Sequence, residues 1–584
     1  MIRDRLSKLR SKMYEKGIDV YFINTCDYHM SEYIPEYFKT LRYFSGFSGS
    51  LGQLVVTYDE AYLFVDGRYH TQADQEVGQY GIQVMKLGKK GVLSADDFLI
   101  NNCQDKLIGF DGKCVSYAFS KKLIKHGLKI KSLDIYSDII EGRATLSKSM
   151  LFELGTSYTG YTRKMKLDVI KRSLNGKTHI IQNLESIAYL LNLRGNDIAY
   201  TPVFMAYMIF NKGEVYLFID AKRLSNEVLA NLLEDGVIIR PYFEYYNFIK
   251  ILRNEVILLD ENKVNYDAYT SIDASNKICN MRSIVEEMKT VKNPVEVKNA
   301  KLAHIYDGVA MLRFIKWLKE TDMEGKTEYD AKVKINDIRK SYKAFDLSFN
   351  TIVGYMANAA MMHYSPTREV NSPLHNEGIL LIDSGGQYYE GTTDITRTVA
   401  LGPVSDEIKM YYTLVLKSMM NLQRVKFMEG LSGDKLDILA RKDLWALGID
   451  YRCGTGHGVG QVLSVHEMPP NVRYQKSPNN GAEVPFRPGN IFSDEPGVYF
   501  EGKFGIRIEN LLLCKKDELN EYGQFLSFEP ITMVPFDLQL IDKRYLDDET
   551  VKAINAYHRE VYRTLYPYLN DEERLFLTRA TRSI

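Results

Sequence analysis

The sequence carries a set of acidic side chains, each set in a short segment that also contains glycine. The run Gly378 to Ile382 delivers Asp383 ahead of Ser384-Gly385-Gly386. A carboxylate at the buried end of such a strand needs a cation or several donors. Asp394 follows in Gly391-Thr392-Thr393-Asp394-Ile395-Thr396-Arg397-Thr398, a second strand-like segment, and the Gly/Tyr turn between the two allows both carboxylates to reach one site. Two turn-capping aspartates would produce the same pattern. His457 stands in Gly454-Thr455-Gly456-His457-Gly458-Val459-Gly460, where the glycines let backbone pass close to a ligand or metal. Glu495 lies in Ser493-Asp494-Glu495-Pro496-Gly497. Glu509 lies in Gly505-Ile506-Arg507-Ile508-Glu509-Asn510, where strand alternation puts Gly505, Arg507 and Glu509 on one face. A surface ion pair between Arg507 and Glu509 is the plainer alternative. Together the two Asp, two Glu and one His offer hard oxygen donors and a single imidazole, a set that favours Mn²⁺, Co²⁺ or Fe²⁺ over a thiolate-rich zinc site. Bridging carboxylates of this kind hold two metals roughly 3.5–4 Å apart and lower the pKa of a shared water.

Two other chemistries are excluded. The glycine loop does not read G-x-G-x-x-G, since Val459 takes the place of the last glycine, and no G-K-[ST] follows. His466-Glu467 begins like H-E-x-x-H, but Pro469 and Pro470 follow, no second histidine arrives, and the helix that motif requires would be broken.

The elements that must position these residues fall into a repeat followed by something different. Glu60-Ala61-Tyr62-Leu63-Phe64-Val65-Asp66 returns as Glu214-Val215-Tyr216-Leu217-Phe218-Ile219-Asp220. A helix closed by Gly17 leads into the strand Asp19 to Ile23, and a helix closed by Gly176 leads into Thr178 to Ile181. Leu107 to Asp111 has a counterpart in Val256 to Asp260. Three collinear matches at nearly one spacing read as duplicated α/β domains. After about Glu286 the pattern changes to a long helix, Pro294 to Lys319, with Val295, Leu302, Ile305, Val309, Leu312, Ile315 and Leu318 as its apolar face. Strand-like runs dominate from there to about residue 515, and an amphipathic helix, Asp548 to Leu565, closes the chain. Boundaries are therefore expected near 150 and 285, giving domains 1–150, 151–285 and 286–584.

Composition narrows the partners. Lys+Arg and Asp+Glu both number 75, so net charge favours neither nucleic acid nor an anionic membrane. No apolar run approaches the roughly 18–20 residues that span a bilayer. The charged start Met1-Ile2-Arg3-Asp4-Arg5 lacks a signal peptide's apolar region. The six cysteines form no C-x-x-C pair, which fits reduced thiols in a cytoplasmic protein.

The order and surroundings of the acidic residues resemble the metal-dependent peptidases of the pita-bread fold, and among them the three-domain aminopeptidase P family. The resemblance covers nearly the whole chain: Asp27 to Ile34, Ser45 to Ser50, Asp66 to Tyr69, Leu193 to Ile198, Pro202 to Phe204, and Phe525 to Pro530 with the closing helix, which matches a C-terminal extension of about 525–584. Asp383 to Thr398 follows the family's D-S-G-x-Q-Y-x-x-G-T-T-D-x-T-R-T almost in full. The resemblance implies an α/β (α+β) chain of two creatinase-like domains and a pita-bread catalytic domain. It implies that Asp383, Asp394, His457, Glu495 and Glu509 ligate two divalent ions, Mn²⁺ foremost with Co, Fe or Zn as substitutes, and that Asp394 and Glu509 bridge them. It further implies that a shared hydroxide attacks the carbonyl before a penultimate proline, with Glu495 as general base. His363 and His466 would position the substrate and steady its oxyanion, and Arg507 would lie near the proline subsite. The creatinase-like domains would roof the cleft and assist a homodimer, and the substrates would be peptides with proline second.

Two positions depart from the family. Cys453 stands where active members usually carry the first histidine of H-G-T-G-H-G-V-G, and Lys417-Ser418-Met419 stands where K-G-H is common. Metal binding is expected to survive. Turnover and specificity are what Cys453 bears on, leaving prolidase-like chemistry, an altered specificity or a poorly active metal-binding relative as the alternatives.

Overall fold

A computed structural model describes residues 1–475 and 481–584. The chain forms two compact units, Met1–Gly155 with Tyr161–Glu286, and Thr156–Gly160 with Glu287–Ile584.

The first unit holds two six-stranded mixed sheets built on one plan. In the first the order is Gln83–Lys86, Ala61–Val65, Gln53–Thr57, Val20–Asn24, Leu107–Phe110, Lys129–Ser132. In the second it is Val237–Arg240, Glu214–Phe218, Tyr207–Asn211, Thr178–Ile181, Val256–Leu259, Lys277–Asn280. Parallel and antiparallel pairings also correspond: Val20–Asn24 and Thr178–Ile181 each take an antiparallel neighbour on one side and a parallel one on the other. The repeat read from the sequence is thus a repeated topology. Gly17 closes the first helix in the left-handed conformation (φ 64°), whereas its counterpart Arg163–Leu174 is capped by Asn175 (φ 46°), one residue earlier than expected. Asn tolerates that region because its short side chain bonds locally.

The second unit begins with the helix Pro294–Glu320. Asn293 caps it, its side chain accepting from the Val295 and Glu296 N–H groups while Glu296 reaches back to the Asn293 N–H. Such a cap stabilises a helix start by about 1 kcal/mol. The expected apolar face is buried from Val309 onward (Val309, Leu312, Ile315, Leu318), but Leu302 and Ile305 before it are only half-buried. Val295 is 36% exposed, while His304, Asp307 and a row of small residues (Ala300, Ala303, Gly308, Ala310) are buried. The expectation of mostly strands up to residue 515 is also incomplete: helices occupy Glu328–Ser341, Asp406–Gln423 and Gly433–Trp445, and Asp571–Ala580 follows the expected helix Asp548–Leu565. Their apolar residues pack with Pro294–Glu320 into one core (Val309, Leu312, Ile335, Val415, Met419, Ile554, Val561), covering the strands rather than continuing them.

Those strands form the floor that matters for chemistry. Ile379–Ser384 lies between Ile352–Tyr355 and Ile395–Ala400, antiparallel to both, with Asp383 opposite Thr396. A six-stranded sheet runs Lys426–Met428, Gly523–Pro530, Asn510–Asn520, Ile491–Asp494, Gly456–Gly458, Glu467–Val472.

Candidate metal centre

Thr396 is the backbone hub that gathers side chains far apart in sequence. It pairs in register with Asp383, its carbonyl accepts from the Glu509 N–H (3.1 Å), and its hydroxyl donates to Glu509 Oε2 (2.8 Å). On the other side, the Glu495 N–H donates to the Thr455 carbonyl (2.8 Å) and the His457 N–H to Ser493 Oγ (3.0 Å). Close approach explains the glycines here. A Cβ on Gly456 would stand 1.7 Å from the Ser493 carbonyl oxygen, and one on Gly385 would stand 1.9 Å from that of Thr393. Neither position accepts another residue without moving a strand.

The five side chains converge. One donor atom each from Asp394, His457 and Glu509 lie within 4.8 Å of one another. His457 Nε2 stands 3.6 Å from Asp394 Oδ2 and 3.2 Å from Glu495 Oε1. Asp383 joins through Arg507, whose guanidinium donates to Asp383 Oδ2 and lies 3.9 Å from Glu495 Oε2. Asp383, Asp394, Arg507 and Glu509 are buried, and His457 and Glu495 are half-buried. Arg507 and Glu509 therefore do not form a surface ion pair. Nor are they successive inward residues of one strand, because Phe504–Arg507 ends and Asn510–Asn520 begins on either side of Ile508-Glu509.

The charge balance asks for more cation than the protein supplies. Burial raises Asp383, with Glu495 adding to the rise and Arg507 working against it. Burial, then the neighbouring carboxylates, push Asp394 and Glu509 well above the ordinary range. Burial alone would lower His457, but the contact with Glu495 and the charge of Asp394 outweigh it and push it up to about 9. Burial alone would raise Glu495, but His457, Arg507 and Ser493 bring it down to about 2. Asp383 Oδ1 and Glu509 Oε1 are buried without a hydrogen-bond partner among the described residues. Orphaned carboxylate oxygens facing like charges are the donor set that divalent cations fit. The imidazole is also prepared: Nδ1 lies 2.9 Å from the Gly458 carbonyl, and donating to it leaves the Nε2 lone pair for the cavity.

Several supporting residues were not anticipated from sequence. Asp307 accepts from Arg339 Nε (2.6 Å), Thr393 Oγ1 (2.6 Å) and Tyr388 OH (3.1 Å), and Arg339 also donates to the Ser384 carbonyl (3.1 Å). This braces the turn between Asp383 and Asp394. Arg397 donates to the Glu509 carbonyl and to Asn510 Oδ1 (2.8 Å), fixing the backbone from below. Tyr499 OH accepts from Arg507 (2.8 Å). The available signal was polar: Asp307 interrupts the buried face of its helix.

The remaining expected residues lie nearby with less definite geometry. The His466 ring packs edge-on against His457, centroids 4.3 Å apart. His363 is half-buried after the turn Met356–Ala360, and the carbonyl of adjacent Met362 accepts from Arg507 (3.4 Å). Glu467, which follows His466, is no catalytic partner: it begins a strand and is buried in ion pairs with Lys289 (2.8 Å) and Lys292. That disposes of the H-E-x-x-H possibility structurally. Cys453 is half-buried, its carbonyl accepting from Arg441 (2.7 Å), and burial pushes its thiol up to about 11, so it is neutral at ordinary pH. All six cysteines are free.

The comparisons agree with this architecture. The model of metallopeptidase family M24 matches residues 298–516, and that of the C-terminal region of peptidase M24 matches 524–584. Creatinase/prolidase N-terminal domain models match 5–144 and 142–296. Fold and site thus define a class: pita-bread metallopeptidases preceded by two creatinase-type domains. A protein of Sordaria macrospora described as a probable Xaa-Pro aminopeptidase P is 35% identical over 600 residues, covering 98% of this chain and 97% of that one. One of Pyrenophora teres f. teres with the same description is 36% identical, covering 97% and 90%. The crystal structure of X-prolyl aminopeptidase from Caenorhabditis elegans, described as a cytosolic enzyme with a di-nuclear active site, superposes with a TM-score of 0.94 at 30% identity over 100% of both chains. The chain belongs to the Xaa-Pro aminopeptidase P family.

Proposed function

We propose that this chain is an Xaa-Pro aminopeptidase, which hydrolyses the bond between an N-terminal residue and a penultimate proline. The observation that carries this reading is the convergence of Asp394, His457 and Glu509, with Asp383 and Glu495 joined to them, around orphaned buried carboxylate oxygens. In this reading those five residues would hold two divalent ions, manganese foremost, with Asp394 and Glu509 as the central donors. Such ions supply Lewis-acid activation of water and polarisation of the substrate carbonyl.

The protein's own groups do the rest. His457 serves as a neutral ligand, with Nδ1 donating to the Gly458 carbonyl. Glu495 is the carboxylate that accepts a proton from the attacking water. Ser493 Oγ keeps donating to Glu495 Oε1 (3.0 Å), which leaves Oε2 to take that proton. His363 and His466 donate to the carbonyl oxygen as its charge develops. Arg507, held by Asp383 and Tyr499, borders the proline ring. The X-Pro amide carries no N–H and a ring on nitrogen, so a pocket shaped for the ring selects what general peptidases handle poorly.

The same reading takes the chain as 1–150, 151–285 and 286–584, working in the cytoplasm as a homodimer. No helix among the described residues is long and apolar enough to cross a membrane, which is compatible with that location. The test is a manganese-supplemented assay on Xaa-Pro-Yaa and Xaa-Ala-Yaa peptides. Release of Xaa from the proline peptide alone is expected; equal release from both, or from neither, defeats the proposal.

A further inference from the structure

Arg473 is a cation beside the centre with no ion-pair partner among the described residues. It follows the strand Glu467–Val472, whose Asn471 lies opposite His457 in register, and it is half-buried. Its Nε is enclosed and has no hydrogen-bond partner among the described residues. A Cβ built on Gly454 would lie 3.5 Å from that Nε, so the side chain lies along Cys453-Gly454. The Cys453 thiol in turn lies within electrostatic reach of Glu495, Arg507 and Arg473 together. Three other arginines of the site are committed. Arg507 is held by Asp383 and Tyr499, Arg441 by Asp437 and Asp450, and Arg397 by backbone carbonyls and Asn510. An enclosed guanidinium N–H left unpaired is costly, and the planar fork matches a carboxylate.

We infer that Arg473 is a specificity-determining residue that binds the free α-carboxylate of short substrates, at the residue following proline. The inference rests on the peptidase reading. A peptide residue spans at most about 3.6 Å, so in a tripeptide the carboxylate stays close to the proline subsite, while longer peptides carry it away. The chain is thereby matched to short Xaa-Pro-Yaa peptides with a free C-terminus rather than to long or amidated ones.

The experiment compares Xaa-Pro-Yaa as free acid and as C-terminal amide, with the manganese-loaded full chain and its Arg473→Met and Arg473→Lys variants. The parent is expected to prefer the acid by about tenfold in kcat/KM, mostly through KM. The preference should shrink as salt rises. Arg473→Met should bring the acid/amide ratio to about one, and Arg473→Lys should restore part of it. An acid/amide ratio of one in the parent, or a Met variant that weakens both substrates equally, overturns the inference. Calorimetric binding of the product Pro-Yaa, as acid and as amide, reads the same contact without turnover. A chain that cleaves nothing yet binds the acid more tightly than the amide would sink the peptidase reading and keep this one; equal binding of both would sink this one alone.

Discussion

Asp307 and Asp394 are both buried carboxylates of the same unit, and both neighbour the turn that follows Ile379–Ser384, yet their surroundings are opposite. Asp307 brings its own counter-charge: Arg339 on one oxygen, Thr393 on the other, and Tyr388 besides. Asp394 meets the carboxylates of Asp383, Glu495 and Glu509, and Asp383 and Glu509 each keep an oxygen without a hydrogen-bond partner among the described residues. The histidines repeat the contrast. His29 in the first unit is closed off, with Nδ1 2.9 Å from the Gln182 carbonyl and Nε2 2.7 Å from Tyr242 OH, and burial lowers it to about 3. His457, half-buried and facing acids, is raised to about 9. A buried polar group whose partners are all protein groups is structural. One whose partners repel it is waiting for a ligand.

The contrast can be broken in order of expected effect. Asp394→Asn should abolish turnover and drop bound manganese below one ion per chain by elemental analysis. Because it removes a repelled charge, the same change should raise the melting temperature of the metal-free protein by about 2 °C or more. A lower metal-free melting point would mean Asp394 is structural after all. Asp307→Asn should do the reverse, destabilising metal-free and metal-loaded protein alike by about 3–5 kcal/mol, since it leaves Arg339 buried without its charge partner. Denaturant midpoints read this, and a shift under about 1 kcal/mol would erase the distinction.

Manganese should stabilise the parent by about 2.7 kcal/mol at a hundredfold excess over its dissociation constant, and a chelator should reverse it. The pH dependence of that binding follows from His457. Its imidazole is protonated below about 9, while a cation requires it neutral, so affinity should rise with pH up to that point and binding near pH 7 should release protons. Calorimetry in two buffers of different ionisation enthalpy measures the release; none at all would place the ion elsewhere. The smallest effect concerns Cys453, a neutral thiol near Glu495 and Arg507 rather than a ligand. Cys453→His should leave manganese content unchanged and alter kcat/KM by about tenfold or less. An active variant beside a silent parent would show that this one substitution had switched the chain off.

Much was legible without coordinates where the signal is local. Strand Ile379–Ser384 and helix Asp548–Leu565 follow from runs of apolar spacing, and the duplicated sheets from recurring segments. The bracing groups were not. The roles of Asp307, Arg339 and Thr396 depend on partners that lie up to 113 residues away. The helices Glu328–Ser341, Asp406–Gln423 and Gly433–Trp445 are masked in the sequence pattern by the glycine-flanked strands around them.

The sequence by itself determined the chemistry of the donors, which are hard oxygens and one imidazole set among glycines that allow close approach, and the repeated front half. Only the tertiary structure decided which carboxylates share a cavity and which are neutralised by arginine. The reason is physical: donor type is a property of a residue, whereas the cost of burying a charge depends on everything that packs around it.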